Sequence, residues 1–360
     1  MRILVGLLGG ALVALMLMEI FLTFLLPRRV KRDPRIARSV FVLGWRPWRR
    51  LARLLPAQAC DTMLGIYGPF GLILNLVLWV AVMMFGYACL QWAGHSQLAV
   101  GHSVDFGDDL FFSAATMASS GTARLAAHSS FARVVQVITA GSGLAVIAIV
   151  IGYLPSLYQA FSRREATVSQ LDARAGSPPS AGRLVLRTAE HGGWDAINGY
   201  LSGWEKWVAE LMETHLAYPV LGYFRSQHLG QNWLAAICTV LDACALTIAA
   251  APAHLIDSSR FTFAIARHAV VDLSYSFHTT ARAPERERLP NADLHELLRQ
   301  MQAAGLQLRG SPQDVGQHLQ RVRALYEPYV NVLGERLELA LPPWVAPKSP
   351  FDNWRNTDWH

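Results

Sequence analysis

The residues of this chain best suited to chemistry lie in one short turn of small and hydroxyl-bearing side chains, Ser119-Ser120-Gly121-Thr122-Ala123-Arg124. Hydroxyl and backbone carbonyl oxygens arranged in a ring can replace the hydration shell of a monovalent cation. A ring of arginines at Arg124 would instead repel cations and favour anions. The turn therefore indicates ion chemistry, but its own residues disagree about the sign of the ion.

A short helix and two long apolar segments must position this turn. The run 106–118 is apolar enough for a short helix, and Asp105, Asp108 and Asp109 cluster at its start, where carboxylates act as caps and dipole partners. Irregular backbone at membrane depth must be buried in protein or line a water-filled cavity, because lipid cannot hydrogen-bond to its amides. The order of span, short helix, turn and span predicts a pore loop.

The region 70–164 resembles the pore module of the two-transmembrane potassium channels. In that family a pore helix leads into a filter read as Thr-Val-Gly-Tyr-Gly and usually followed by Asp. Here the corresponding residues are Ser119 to Ala123, followed by Arg124. The resemblance implies a homo-oligomer of four subunits around one pore that passes monovalent ions, with potassium as the implied ion.

The resemblance also assigns expected roles outside the turn. Thr116 matches a small hydroxyl residue that the family often carries before its filter. Gly141, Gly143 and Gly152 lie where the inner helix of such channels often bends, so they are the expected gating hinge. The predicted pore and selectivity residues are thus Thr116, Ser119, Ser120, Gly121, Thr122, Ala123 and Arg124.

Three residues depart from the filter pattern of that family. Ala123 replaces a glycine, and a non-glycine residue with left-handed backbone costs roughly 1–2 kcal/mol. Thr122 replaces the tyrosine that, in the family, wedges the filter against the pore helices. Arg124 either places positive charge at the outer mouth or pairs with the aspartates at the start of the pore helix. Weak cation selectivity, anion permeation and a closed pore all stay open at this point.

Composition and apolar runs predict an all-α membrane protein. Of the 360 residues, 52% are hydrophobic and 16% charged, which is too apolar for an ordinary soluble protein. A span needs about 20 apolar residues, and the segments that qualify are 3–26, 70–92 and 134–161. The predicted organisation is an N-terminal transmembrane helix (1–27), a basic juxtamembrane segment (28–69), the channel module (70–164, with pore helix 106–118 and filter-like turn 119–123), a linker (165–190) and a helical cytoplasmic domain (191–360).

Basic residues predict the orientation and a lipid partner. Ten Arg and Lys residues and one acid lie within 27–56, and Arg163 and Arg164 follow the third span. The positive-inside rule places these segments in the cytoplasm and the N-terminus outside, in the inner (plasma) membrane. Residues 28–55 are expected to contact anionic lipids, since each basic residue near such a surface contributes about 1 kcal/mol. A plain topology signal is the alternative.

Two polar residues interrupt the predicted spans. Glu19 lies in the first span and Asn75 in the second. Ionisable residues inside the bilayer are costly, so Glu19 is a candidate functional residue. The alternative is a hydrogen bond from Glu19 to Thr23 or Asn75, of the kind that holds membrane helices together.

The C-terminal part is predicted to be a helical bundle. Gly176 to Gly182 is rich in Ser and Pro and marks a break, after which helical periodicity resumes from Gly192. The segment 233–256 is long and apolar enough for a fourth span, but its alanine content and Asp242 favour a buried core helix. Periodicity cannot separate these two possibilities.

Acids and histidines are frequent in this part of the chain: Glu213, His215, Asp242, His254, Asp257, His268 and Asp272. The sequence lacks the paired Glu-x-x-His pattern of di-iron bundles, so caps and buried hydrogen bonds are favoured over a metal-dependent enzyme. No metal, cofactor, nucleic-acid partner or enzymatic activity is expected, and the four cysteines are expected to be free thiols. Two functions stay open: a channel regulated by its helical tail, and a non-conducting scaffold or sensor that retains the channel fold.

Overall fold

The structure is a computed structural model of the chain, and it describes residues 1–25, 36–94, 104–122, 125–227 and 230–346. Within these ranges the chain forms helices joined by turns, with no β-strand. The residues cluster into two compact units, Met1–Tyr158 and Gln159–His360, which we call unit 1 and unit 2.

The helices of unit 1 follow the predicted spans and the predicted pore helix. They are α1 (Arg2–Ile20, continued by a π-helical turn at Phe21–Leu25), α2 (Ile36–Ala52), α3 (Ala57–Ala93), α4 (Phe106–Met117) and α5 (Ser130–Ala175). The boundary between the units falls within α5. α4 coincides with the predicted pore helix 106–118 except for its last residue.

The helices of unit 2 follow one another at short intervals. They are α6 (Ala181–Ala189), α7 (Gly193–Ser202), α8 (Trp204–Ala217), α9 (Trp233–Ala250), α10 (Asp257–Ser276), α11 (Asn291–Ala303), α12 (Pro312–Arg323) and α13 (Glu327–Leu337). Short 3₁₀ turns lie at Pro219–Tyr223 and Ala253–Leu255. The helical character predicted for the C-terminal part is thereby confirmed.

A pair of glycines allows α1 and α3 to pack closely. A β-carbon on Gly9 would lie 2.5 Å from the carbonyl oxygen of Gly86, and a β-carbon on Gly86 would lie 3.0 Å from that of Gly9. Small residues at such crossings let the backbones of membrane helices approach. The apolar core around this crossing is formed by Val13, Met16, Ile20, Trp79, Met83 and Tyr87.

Aromatic side chains hold α2 against the first turns of α3. The indole Nε1 of Trp48 donates a hydrogen bond of 2.9 Å to the carbonyl of Met63. The hydroxyl of Tyr67 donates one of 2.5 Å to the carbonyl of Phe41. The buried ring of Trp45 lies 4.8 Å from that of Tyr67. α2 is therefore a packed helix with one aromatic face.

The structure adds detail to one predicted segment beside this helix pair and shifts one boundary. The predicted basic juxtamembrane segment 28–69 contains α2 and the start of α3. α3 begins at Ala57, well before the predicted start of the span at 70. The apolar run 70–92 in the sequence is shorter than α3 because the first turns of α3 bear polar residues such as Gln58 and Asp61.

The predicted linker 165–190 is also corrected. α5 continues to Ala175, and α6 follows after a turn at Gly176, whose φ is +84°. The segment looks polar in sequence because its helices expose one face, while Val168, Leu171, Leu184 and Val185 are buried on the other.

The helix α9 lies at the centre of unit 2. All 18 of its residues are buried, and α6, α7, α10, α12 and α13 pack against it. By length and apolarity alone, four helices qualify as membrane spans: α1 with its π-turn, α3, α5 and α9. Because protein surrounds α9 on all sides, the structure supports the core-helix interpretation of 233–256.

Candidate functional site

α4 begins at a reciprocal capping box. The carboxylate of Asp105 accepts a 2.9 Å hydrogen bond from the backbone N–H of Asp108, and Asp108 accepts one of 3.1 Å from the N–H of Asp105. Such a box satisfies two otherwise unpaired donors and places negative charge at the positive end of the helix dipole. The predicted capping role is confirmed for these two residues, and Asp109 is buried beside them.

Ring contacts fix the start of α4 against α3. The ring of Phe106 lies 5.8 Å from that of Phe85 and 6.5 Å from that of Trp92, in edge-to-face arrangements. Aromatic pairs prefer this geometry because the positive edge of one ring meets the negative face of another. Nearly two turns further, Phe112 is fully buried. From Phe112 onward α4 is therefore mostly buried.

α4 ends directly against α5. A β-carbon on Gly143 would lie 2.1 Å from the carbonyl oxygen of Met117, so the backbones meet without an intervening side chain. Gly141 and Gly152 lie on the exposed face of α5, where a β-carbon would meet nothing within 4 Å. α5 passes through all three glycines as one continuous helix. The hinge role stays a prediction, and Gly143 has a packing role that the sequence did not indicate.

Polar side chains join α3 to α5 on either side of this contact. The hydroxyls of Tyr87 and Ser142 are 2.5 Å apart. Towards the start of α5, Gln91 donates a 3.1 Å hydrogen bond from Nε2 to the carbonyl of Ala132. Both hydrogen bonds are buried, and a buried polar group that loses its hydrogen-bond partner lowers the stability of the protein. The two long helices and α4 therefore form one connected unit.

The turn after α4 has the tight backbone expected of it. The N–H of Ser119 donates to the carbonyl of Thr116 at 3.1 Å, and that of Ser120 donates to the carbonyl of Ala115 at 3.0 Å. Ser119 has φ +53° and Gly121 has φ +83°. Left-handed backbone at a non-glycine residue is uncommon and often marks a functional turn. Residues 119–121 are exposed on the single chain.

Two of the predicted filter residues, Ala123 and Arg124, lie outside the described residues. The predicted pairing of Arg124 with the aspartates of α4 lies outside them as well. The adjoining Thr122 is described, and its carbonyl accepts a 2.9 Å hydrogen bond from the N–H of Leu125. The turn is thus closed on its far side by a backbone hydrogen bond.

Hydroxyl groups of α4 lie next to the turn but not in it. Thr116 and Ser113 are buried, and neither hydroxyl oxygen has a hydrogen-bond partner within the described part of the chain. Most buried hydroxyls in proteins are paired, so each calls for an explanation such as water, an ion or a neighbouring subunit. Thr116 therefore lies beside the turn, as the prediction requires, but its side chain is buried in the protein.

The two polar residues of the spans are both buried. Glu19 is 5% exposed on α1 and Asn75 is 4% exposed on α3. The Oδ1 atom of Asn75 has no hydrogen-bond partner among the residues that the structure describes. Immediately after Glu19, α1 changes into the π-helical turn Phe21–Leu25, a distortion that is often found at functional positions.

In unit 2, one buried arginine holds the end of α5 in place. The guanidinium of Arg164 donates 2.9 Å hydrogen bonds to the carbonyls of Leu221 and Phe224 and to the carboxylate of Glu165. Its Nη1 lies 3.2 Å from Nε2 of His215. We call these five residues the Arg164 clamp. In the sequence Arg164 contributes only to the predicted orientation, and its burial gives it a packing role that the sequence did not indicate.

The protonation of His215 follows from this geometry. Nδ1 lies 2.8 Å from the carbonyl of Leu211, so it carries the proton, and Nε2 accepts from Arg164, which has no acceptor atom. Burial, together with the charge of Arg164, holds the pKa of His215 well below its ordinary value. The imidazole is therefore neutral and acts as a hydrogen-bond acceptor.

A second cluster surrounds Asp242 at the middle of α9. The carboxylate of Asp242 is fully buried, lies 2.5 Å from Nη2 of Arg288 and accepts a 2.5 Å hydrogen bond from the hydroxyl of Tyr326. Arg288 also bonds Glu327 at 3.2 Å, and Arg323 bonds Glu327 in turn at 3.1 Å. Burial and the charge of Asp242 raise the pKa of Glu327. We call these five residues the Asp242 network.

Most of the other predicted polar residues of the tail do not converge. His268 and Asp272 form a pair at 3.8 Å in which the histidine is exposed and the aspartate half-buried, and His254 and Asp257 are exposed. Among the described residues, no three His, Cys, Asp or Glu side chains are placed to hold one metal ion. His215 and Asp242 instead belong to the two separate clusters described above.

Comparison with known proteins gives one informative likeness. No protein-family model matches the chain, and no solved structure matches it. A protein of Bacillus subtilis (strain 168) described as "Uncharacterized membrane protein YdjJ" is 20% identical over 239 residues, which cover 65% of this chain and 69% of that protein. Together with the apolar helices, this likeness shows an all-α membrane protein.

The sequence did not indicate Arg164, Arg288, Tyr326 or Glu327 as members of buried clusters. A single carboxylate in an apolar run such as α9 requires a cation partner, because an unpaired buried charge is costly. That requirement predicts that Asp242 has a partner but not which one, since Arg288 lies 46 residues away.

Proposed function

We propose that this protein is an oligomeric, potassium-channel-like ion channel of the pore-loop type, regulated by its helical C-terminal unit. The observation that carries the proposal is the arrangement of α4: a capped helix that ends against Gly143 of α5 and leads into an exposed turn with left-handed backbone at Ser119 and Gly121. Irregular backbone of this kind is tolerated at membrane depth where it lines a water-filled cavity.

Exposed apolar surface supports an oligomer. Phe111 of α4 and Val137, Leu144 and Ile151 of α5 are more than half exposed on the single chain. In a membrane protein such side chains face lipid or a second subunit. One copy of the turn cannot surround an ion, so the proposal requires several copies around an axis, four by the resemblance stated above.

The proposed topology follows the basic residues. The N-terminus lies outside and unit 2 lies in the cytoplasm, in the inner (plasma) membrane. Residues 28–55 contact anionic lipids: within α2, Arg46 and Arg50 are exposed one turn apart, and Leu43 and Leu51 are exposed beside them. Exposed leucines next to arginines suit an anionic membrane surface.

In this proposal unit 2 is regulatory rather than enzymatic. α5 continues from the channel module into unit 2, where the Arg164 clamp holds it. Displacement of the clamp would therefore be transmitted along α5 towards Gly143 and the turn. The second candidate is a non-conducting scaffold or sensor, and it is favoured by the residues Thr122, Ala123 and Arg124 that depart from the filter pattern.

Single-channel recording of the purified protein in a planar bilayer tests the proposal. With asymmetric KCl, and then with mixed potassium and sodium, a reversal potential near that of potassium is expected. A reversal potential near that of chloride would make Arg124 the dominant element of the pore. No current from folded, oligomeric protein would favour the scaffold or sensor.

A paired substitution separates an altered filter from a sealed pore. The double variant Ala123→Gly with Arg124→Asp restores the glycine of the filter pattern and removes the positive charge, so cation conductance is expected to rise. An unchanged, silent recording would mean that the pore is closed elsewhere along its length.

A further inference from the structure

Unit 2 contains an open cleft of about 680 Å³ that no part of the proposed conduction mechanism uses. One wall is the C-terminal part of α5, and the other is the junction of α7 and α8. Its lining residues are Thr167, Ser169, Gln170, Ala173, Arg174, Gly199, Tyr200, Gly203 and Trp204. This volume lies within the range of pockets that hold small organic ligands.

The charge of the lining is positive. Among the described residues that line the cleft, Arg174 is the one that carries a charge, and none is a carboxylate. The acids nearest in sequence are engaged elsewhere, since Asp172 accepts a 2.7 Å hydrogen bond from Gln231 and Glu205 accepts one of 3.0 Å from Thr262. An occupant that carries negative charge is therefore favoured over a neutral or cationic one.

The lining also has an aromatic part, in which two rings meet edge-to-face. The guanidinium of Arg174 lies 4.7 Å from the centroid of the Tyr200 ring, and that ring lies 6.2 Å from the ring of Trp204. Trp204 is almost fully buried, so it forms a rigid base. A cation beside aromatic faces suits a planar group attached to an anion, because the ring can stack while the guanidinium forms charge-assisted hydrogen bonds.

The hydrogen-bonding groups of the α5 wall complete the cleft. Thr167, Gln170 and Arg174 follow at helical spacing along one face of α5 and bring a hydroxyl, an amide and a guanidinium to the same wall. Opposite them, Gly199 faces open space, because a β-carbon there would meet nothing within 4 Å.

We propose that this cleft binds a small organic anion that carries a flat ring, of the size of a nucleoside monophosphate. Its anionic group bonds Arg174 and the polar side chains of α5, and its ring lies against the half-buried Tyr200. Because one wall of the cleft is α5, the bound ligand contacts the helix that continues into the proposed pore module. Binding requires no ion conduction, so this proposal stands or falls independently of the channel proposal.

Calorimetric titration of the purified full-length protein with AMP, adenosine and inorganic phosphate tests the proposal. AMP combines a ring with an anion, whereas adenosine lacks the anion and phosphate lacks the ring. Saturable AMP binding is expected, with adenosine and phosphate each weaker by about tenfold or more. Absence of saturable AMP binding at millimolar concentration, or equal binding of phosphate alone, would overturn the proposal.

A plug variant locates the binding in this cleft. Gly199→Leu fills the open space without a backbone clash, so the fold is retained and AMP binding is lost. Gly199→Ala is the matched control, because one methyl group leaves most of the volume free. Arg174→Gln, which keeps a side chain of similar length without the charge, weakens AMP binding about tenfold. AMP binding that survives in both Gly199→Leu and Arg174→Gln would place it elsewhere and refute the assignment.

Discussion

Gly143 lies so close to Met117 that a β-carbon on the glycine would be 2.1 Å from the methionine carbonyl oxygen. The last residue of α4 therefore rests on the backbone of α5. The next residues of the chain form the turn at 119–122, so this contact sets where the turn starts. A shift of α5 at Gly143 would move the turn with it.

We predict that Gly143→Ala destabilises unit 1 by about 1–3 kcal/mol, because the added methyl group must displace backbone. Gly141→Ala is the matched control on the same helix, where a β-carbon meets nothing within 4 Å. Thermal unfolding of the two purified variants measures the difference. Equal melting temperatures for both would mean that Gly143 and Met117 are not in backbone contact.

The turn itself gives a second prediction. Gly121 has φ +83°, and a β-carbon there meets no neighbouring atom, so Gly121→Ala acts through backbone strain alone. A cost of roughly 1–2 kcal/mol is expected. Ser120→Ala, which keeps the backbone and loses only a 3.3 Å hydroxyl contact to Ala115, is expected to have a smaller effect. Thermal unfolding in detergent compares them, and a tolerated Gly121→Ala would argue against left-handed backbone at this position.

The helix α4 was predictable because its signals are local. An apolar run that follows Asp105 and carries Asp108 in its first turn gives α4 almost to the residue, since caps and helix period act within one or two turns. The linker prediction at 165–190 was wrong because a helix with one exposed face has the same polar composition as a loop. Only the packing of the whole unit, such as that of α6 against α9, reveals which of their residues are buried.

The partners in the buried clusters could not be predicted for a different reason. The local sequence indicates only an orientation signal at Arg164. It gives no sign that the carbonyls of Leu221 and Phe224 accept hydrogen bonds from this side chain. Those carbonyls lie 57 and 60 residues further along the chain. Pairing at such distances is decided by the packing of the whole unit rather than by any local pattern.

The Arg164 clamp gives a third prediction. Arg164→Ala leaves two buried carbonyls and the Nε2 atom of His215 without a donor, so unit 2 is expected to lose about 3–5 kcal/mol of stability. Arg163→Ala is the control, because Arg163 is exposed on the same helix and its loss is expected to cost about 0.5 kcal/mol or less. Chemical unfolding measures both. Equal effects would remove the basis for a clamp.

The clamp also predicts how stability depends on pH. The pKa of His215 in the folded protein lies well below its ordinary value of 6.5, through burial and then the charge of Arg164. Below about pH 6.5 the unfolded chain therefore binds more protons at this histidine than the folded protein does. The free energy of unfolding decreases as the pH falls from about 6.5 towards the pKa of His215 in the folded protein. Above that pH the contribution is complete. His215→Gln, which keeps an acceptor, is expected to flatten the decrease, whereas His191→Gln at an exposed position is not.

The last prediction concerns the Asp242 network. Arg288→Met leaves the fully buried carboxylate of Asp242 without its cation, and a loss of about 3–5 kcal/mol in the free energy of unfolding is expected. The double variant Asp242→Leu with Arg288→Met removes both charges and is expected to recover part of that loss, because burying neither charge avoids both desolvation costs. The exposed pair of Arg299 and Glu296 is the control, where Arg299→Ala is expected to change nothing measurable. If the double variant is less stable than Arg288→Met alone, the network stabilises unit 2 through Tyr326 and Glu327 rather than through the Asp242–Arg288 pair.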